Sequence, residues 1–233
     1  MRILVMPGGE FGPGEQYKAG EAIDALKDKG AEHWAVQAVM PKTRRPSWFL
    51  GWRSRDRLNR IAWLTGRRVL AIQHAGSLVS GIITDYEYEP LGDLDPNRHG
   101  AAVAKVSRHV NARSLYALGL DRHSRRAVTK LVDAAKYPWL CMPQFHYRWN
   151  AGRPHDPTAD IALCRELDID PVPYVSGLMG GGGEDEVSVE QLRKQFDVLE
   201  GMHDVTTCVA WCDIREERSI GSVERVLEAA GAG

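Results

Sequence analysis

The chain has 233 residues, with 30 Lys and Arg set against 31 Asp and Glu, a formal net charge of −1. Hydrophobic residues at 43 % and charged residues at 26 % are the balance of a globular chain with a sizeable core, not of a fibrous or disordered one. The near-neutral total makes no overall case for nucleic acid, and the absence of a run of about 18 apolar residues excludes a spanning helix.

In chain order, Arg2–Met6 is an apolar run closed by Pro7-Gly8-Gly9, a first strand of a buried parallel sheet. Residues 15–29 carry helical spacing (Tyr17, Ala22, Ile23, Leu26) and stop at Gly30. A second strand follows over His33–Met40, then a basic, aromatic loop over Pro41–Trp52, then an amphipathic helix over Arg55–Leu64. Arg68–His74 reads either as a third strand or as a continuation of that helix, and too few residues remain before Gly81 for another helix. Gly81–Glu87 is the central strand, and Ala101–His109 a helix. Ser114–Leu118, Trp139–Phe145, Pro171–Val175 and Thr206–Asp213 are further strands. They alternate with helices over Ser124–Lys136, Asp160–Leu167, Val189–Glu200 and Val223–Ala230.

Strand and helix alternate from end to end, which predicts a parallel sheet with crossover helices. With seven or eight such units and no linker or internal repeat, the expected fold is a single (β/α)8-type TIM barrel over residues 1–233, with residues 68–80 as the place where a unit is irregular or missing. The prolines of Pro171–Val175 are expected at strand margins, where a missing N–H is tolerated.

Charge is uneven along the chain. A basic stretch runs from Lys42 to Arg68, more simply a solvated face than a binding patch, and Asp85 to Asp95 is acidic. Cys141, Cys164, Cys208 and Cys212 include no CxxC pair, Cys141 and Cys208 fall in apolar runs where free thiols behave as small hydrophobes, and neither a metal nor a cofactor is expected. The glycine-rich segment from Pro7 to Gly14 lacks both nucleotide-loop spacings, and its prolines remove donors a phosphate would need. Gly180–Gly183 with the acids after it lacks the alternating ligand pattern of a calcium loop. Met1–Pro7 is too short for a secretion signal, so the chain is expected to be cytoplasmic as synthesised, released by lysis or carried in a virion if it acts outside.

The chemistry concentrates in Gly81–Pro90. Alternation puts Ile83, Asp85 and Glu87 on one face of a strand and Tyr86 and Tyr88 on the other. Two carboxyls a pleat repeat apart cannot ionise equally, so one keeps its proton towards neutral pH. The carboxyl end of a barrel strand is where such groups catalyse. The plainer reading makes Asp85 a turn cap and Glu87 a solvated strand-end residue.

The run Asp85-Tyr86-Glu87-Tyr88 resembles the fourth-strand signature of family 18 glycoside hydrolases, the chitinase group. Met142-Pro143-Gln144-Phe145-His146-Tyr147, Pro171-Val172-Pro173-Tyr174 and Cys208–Asp213 are similar to that family's sixth, seventh and eighth strands. Thr84 and Ile82 depart from it where further acids are usual, and Tyr147 stands one residue late, with His146 on its parity. The resemblance implies retaining hydrolysis of β-1,4 N-acetylhexosamine glycans, with Glu87 as general acid and Asp85 orienting the substrate's N-acetyl group. It further implies a polysaccharide partner bound through Gln144, His146, Tyr147, Trp211 and Asp213, with Trp211 stacking on a sugar ring. Family 25 lysozymes are a second resemblance, short of the expected Asp at the end of the first strand, where Met6-Pro7-Gly8 stands. The alternative from another class is an inactive barrel of this type, serving as a carbohydrate-binding or virion module.

Overall fold

A computed structural model describes residues 1–8, 16–31, 33–39, 72–73, 76–85, 113–117, 139–141, 153–181, 185–213 and 216–231. The described strands are β1 (Arg2–Gly8), β2 (His33–Val39), β3 (Leu78–Asp85), β4 (Arg113–Ala117), β5 (Trp139–Cys141), β6 (Asp170–Pro171), β7 (Tyr174–Val175) and β8 (Thr207–Asp213). The described helices are α1 (Gln16–Lys27), α2 (Thr158–Glu166), α3 (Val189–Glu200) and α4 (Glu217–Ala229).

All strand pairings are parallel, in the order β6-β5-β4-β3-β2-β1-β8-β7. The two ends of that order belong to one continuous stretch, Asp170–Val175. Its start pairs with β5 (Leu140 with Asp170) and its end with β8 (Tyr174 with Val209). The sheet therefore closes on itself, and its eight named strands occupy seven places around the ring. This is the expected α/β barrel. The prolines explain the split strand: neither Pro171 nor Pro173 can donate a ladder hydrogen bond, so the stretch changes partner between them. The carbonyl of Pro173 still accepts from the Val209 N–H at 2.8 Å.

Side-chain alternation sorts the strands into two layers. Ile3 and Val5 of β1 and Cys208, Ala210 and Cys212 of β8 face the helices, in a cluster with Ile23, Leu26, Phe196, Leu199, Val226 and Leu227. Leu4, Met6, Val172, Tyr174 and Val209 form a second cluster inside the barrel, against which Trp211 packs.

The helices end where local chemistry ends them. After α1, Gly30 adopts φ 92, its N–H bonds the Lys27 carbonyl and the Ala31 N–H reaches back to Leu26. This is a Schellman closure, which only glycine enters without strain. Ser188 caps α3 in a capping box with Gln191, each side chain satisfying the other's backbone N–H. In α4, Ser219, Ser222, Val223, Val226 and Leu227 recur at helical spacing and are buried.

Several boundaries differ from expectation. Of the ambiguous stretch 68–74, the described residues Ile72 and Gln73 are helical, as in the second of its two readings, and β2 pairs directly with β3. The central strand starts at Leu78 instead of Gly81, and its register against β2 shifts between Trp34 and Ala35. The first strand runs on through Pro7 and Gly8 because β8 continues beside it to Asp213.

Candidate functional site

The carboxyl ends of β1, β7 and β8 meet at one end of the barrel, the end at which barrels of this kind carry their functional groups. On β8, alternation places Val209, Trp211 and Asp213 in one inward row. Trp211 is half-buried against the inner cluster. Asp213, the last residue of the strand, is only 6 % exposed and lies in register with Gly8 of β1. A carboxylate is expensive to bury, so its place at the mouth of the barrel marks it for attention.

The position of Asp213 is held from the helix side. Its N–H donates to Ser219 Oγ at 2.7 Å, and its carbonyl accepts from the Glu216 N–H at 2.9 Å, turning the chain from β8 into α4. Ser219 also hydrogen-bonds the Cys212 thiol, but burial dominates there and pushes that thiol up to about 12, with the Asp213 charge adding to the rise. Burial likewise raises Cys208. Both thiols are therefore protonated packing groups of the helix layer.

The neighbouring wall is the loop after β7. Ser176 Oγ accepts from the Leu178 N–H at 3.0 Å, and Gly177 lies directly against Ser222 of α4. The loop returns through an antiparallel bridge between Leu178 and Glu186. Two further N–H groups bond across it: Met179 donates to the Asp185 carbonyl at 2.8 Å and Val187 to that of Gly177 at 2.9 Å. Sequence alone did not single out Ser176, Gly177 or Ser219. The available signal was the pair Ser219 and Ser222 on an otherwise apolar helix stripe.

Of the expected site residues, Trp211 and Asp213 stand together in the inward row of β8. Asp85 is the last residue of β3, in register with Val39 and Ala117, at the same end of the sheet. Glu87, Gln144, His146 and Tyr147 lie outside the described residues. Among the described residues no group of three or more His, Cys, Asp or Glu is placed to hold a metal ion, and no helix is long and apolar enough to cross a membrane.

No family model matches the chain, and no curated protein matches it either. Among solved structures it is similar to the probable 3-DHS dehydratase AsbF, involved in petrobactin synthesis, from Bacillus anthracis. That likeness has 12 % identity and a TM-score of 0.54, covering 94 % of this chain and 83 % of that one. It is also similar to tryptophan synthase from M. tuberculosis, at 11 % identity, 99 % and 91 % coverage and a TM-score of 0.48. A third likeness is to the carboxyl transferase domain of Rhizobium etli pyruvate carboxylase, at 13 % identity and a TM-score of 0.45. It covers 99 % of this chain but 34 % of that one, so the chain spans about a third of its length.

These findings correct the glycoside hydrolase reading. Neither the chitinase-like family 18 nor the lysozyme family 25 is matched, and the solved structure that shares the fold over most of both chains is a probable dehydratase. The glycosidase activity, the role of Glu87 as its general acid and the inactive carbohydrate-binding or virion barrel are withdrawn with it. The polysaccharide partner is drawn from that resemblance alone. The physical reason is that the matching residues describe a barrel and not a chemistry. Inward aromatics on late strands, with a carboxylate at the strand end, suit any (β/α) barrel with a polar mouth. The fold is thus an α/β barrel, shared with AsbF.

Proposed function

We propose that the protein binds a small polar molecule in the carboxyl-terminal mouth of its barrel and acts on it by proton transfer at strand-end carboxylates. Asp213 is the group that accepts a hydrogen bond or a proton from that molecule, and Trp211 supplies an apolar face beside it. Asp85 is the last residue of β3, at the same end of the sheet, and is the second candidate. The observation that carries this reading is the burial of Asp213 to 6 % exposure at the end of an inward row. Buried carboxylates concentrate where a site needs them.

The test is a thermal-shift screen of hydroxy acids, keto acids and polyols, followed by calorimetry on the hits. Wild type is expected to bind at least one compound, with Asp213→Asn weakening it by ten-fold or more while the far-ultraviolet spectrum stays unchanged. Equal affinity in a folded Asp213→Asn protein would sink the assignment.

A further inference from the structure

The loop that follows β7 returns to α3, and a single side chain of α4 holds both of its arms. Arg225 Nη2 donates to the Gly177 carbonyl on the outgoing arm at 3.1 Å, and Arg225 Nη1 pairs with Glu186 on the returning arm at 3.1 Å. The guanidinium is mostly enclosed, at 21 % side-chain exposure against 59 % for Glu186. Between the arms run the Leu178–Glu186 bridge and the Val187 N–H bond to Gly177. Close packing reinforces the clamp: a Cβ on Gly177 would lie 2.5 Å from the Ser222 carbonyl oxygen, so the backbone is pressed onto the helix.

From these contacts we propose that Arg225 is the positioning residue of the barrel mouth, fixing the β7 loop to α4. The same helix anchors Asp213 nearly two turns earlier through Ser219. Loop and carboxylate are thus referred to one rigid element, and their relative placement is set by the face carrying Ser219, Ser222 and Arg225. A planar guanidinium suits the task, since it spans a carbonyl and a carboxylate at once, whereas an ammonium acts as a point charge. The functional weight of this placement rests on the mouth being the binding site; the clamp itself does not.

Hydrogen–deuterium exchange on the full chain separates the two. In Arg225→Met, which keeps the apolar stem, the amides of Met179 and Val187 should exchange roughly 10- to 100-fold faster, the loss expected for a hydrogen bond to a charged group. Leu192–Leu199 of α3 should keep its protection. Glu186→Gln, which leaves the carbonyl contact in place, should give a smaller rise at the same two amides, and Arg225→Lys should restore part of their protection. Unchanged exchange at Met179 and Val187 in Arg225→Met would overturn the proposal. So would an equal acceleration in α3, which would make Arg225 a contributor to global stability only. If Arg225→Met fails to fold, Glu186→Gln decides on the same amides. Failure of the mouth as a binding site shows instead in the ligand affinity of Asp213→Asn, with these exchange rates unaffected.

Discussion

The backbone N–H of Asp213 donates to Ser219 Oγ at 2.7 Å, joining the end of the last strand to the first turn of the last helix. Both residues are buried, Asp213 at 6 % and Ser219 at 0 % exposure, so water cannot replace the bond. Ser219→Ala should leave that N–H unpaired at a cost of about 1–3 kcal/mol. Urea denaturation checks the value. A loss below a few tenths of a kcal/mol would mean that the turn finds another acceptor.

Gly177 and Gly201 should respond differently to alanine. At Gly177 the new Cβ would meet the Ser222 carbonyl at 2.5 Å and its Oγ at 2.8 Å, so helix or loop must move, at a cost of about 1–3 kcal/mol. Gly201 closes α3 with helical dihedrals (φ −68, ψ −10) and would place its Cβ 3.4 Å from the Val198 carbonyl. There alanine should be neutral or stabilise by up to about 1 kcal/mol through the unfolded chain. Equal midpoints for the two variants in thermal unfolding would contradict the packing described.

Acid sensitivity has an identifiable contributor. Arg165 Nε and Nη2 both donate to the Asp204 carboxylate at 2.7 Å, tying α2 to the turn before β8 and holding that carboxyl below its ordinary 3.8. A carboxyl depressed in the folded state contributes stability above its unfolded pKa and loses it as pH falls through the folded value. The Tm gap between wild type and Asp204→Asn should therefore be present at pH 6 and close below about pH 4, and added salt should shrink it, since the pair is exposed. A gap independent of pH would assign the effect to packing.

The buried thiols give the opposite sign. Cys212 is raised from 9.0 to about 12 by burial, so its thiol contributes stability that is lost as pH rises past 9. In the native state Cys208 and Cys212 should resist iodoacetamide at pH 8 and become labelled only in denaturant, read by peptide mass spectrometry. Native labelling at either position would place it outside the helix layer.

The parts of the fold that read cleanly from sequence are those where local and tertiary signals agree. Residues 189–200 form a helix with the expected bounds because Ser188 and Gln191 make a capping box ahead of a periodic apolar face. Thr207–Asp213 is a strand buried on both faces, and it reads as one. The last helix starts at Glu217, ahead of the expected Val223, because its buried stripe opens with Ser219 and Ser222, which an apolar template does not count. Asp85 was placed by uninterrupted alternation from Gly81. The register shift of β3 against β2 falls before Gly81, and from Gly81 to Asp85 the pairing with Ala35–Val39 runs without a break. At Pro171–Val175 the sequence predicts a single strand, whereas the two prolines let one stretch, Asp170–Val175, close the ring by serving two partners. Trp211 and Asp213 enter the sequence reading only through the glycoside hydrolase resemblance, and the chemistry drawn from that resemblance does not hold, because barrel geometry repeats across unrelated reactions.

The most direct test of the central claim is amide chemical-shift mapping with a compound from the thermal-shift screen. Shifts should concentrate at 176–178 and 211–213, the carboxyl ends of β7 and β8, and disappear in Asp213→Asn. Shifts gathered instead at Arg2, His33 and Leu78, the amino-terminal ends of β1, β2 and β3, would contradict it, because they would put the ligand at the opposite end of the barrel.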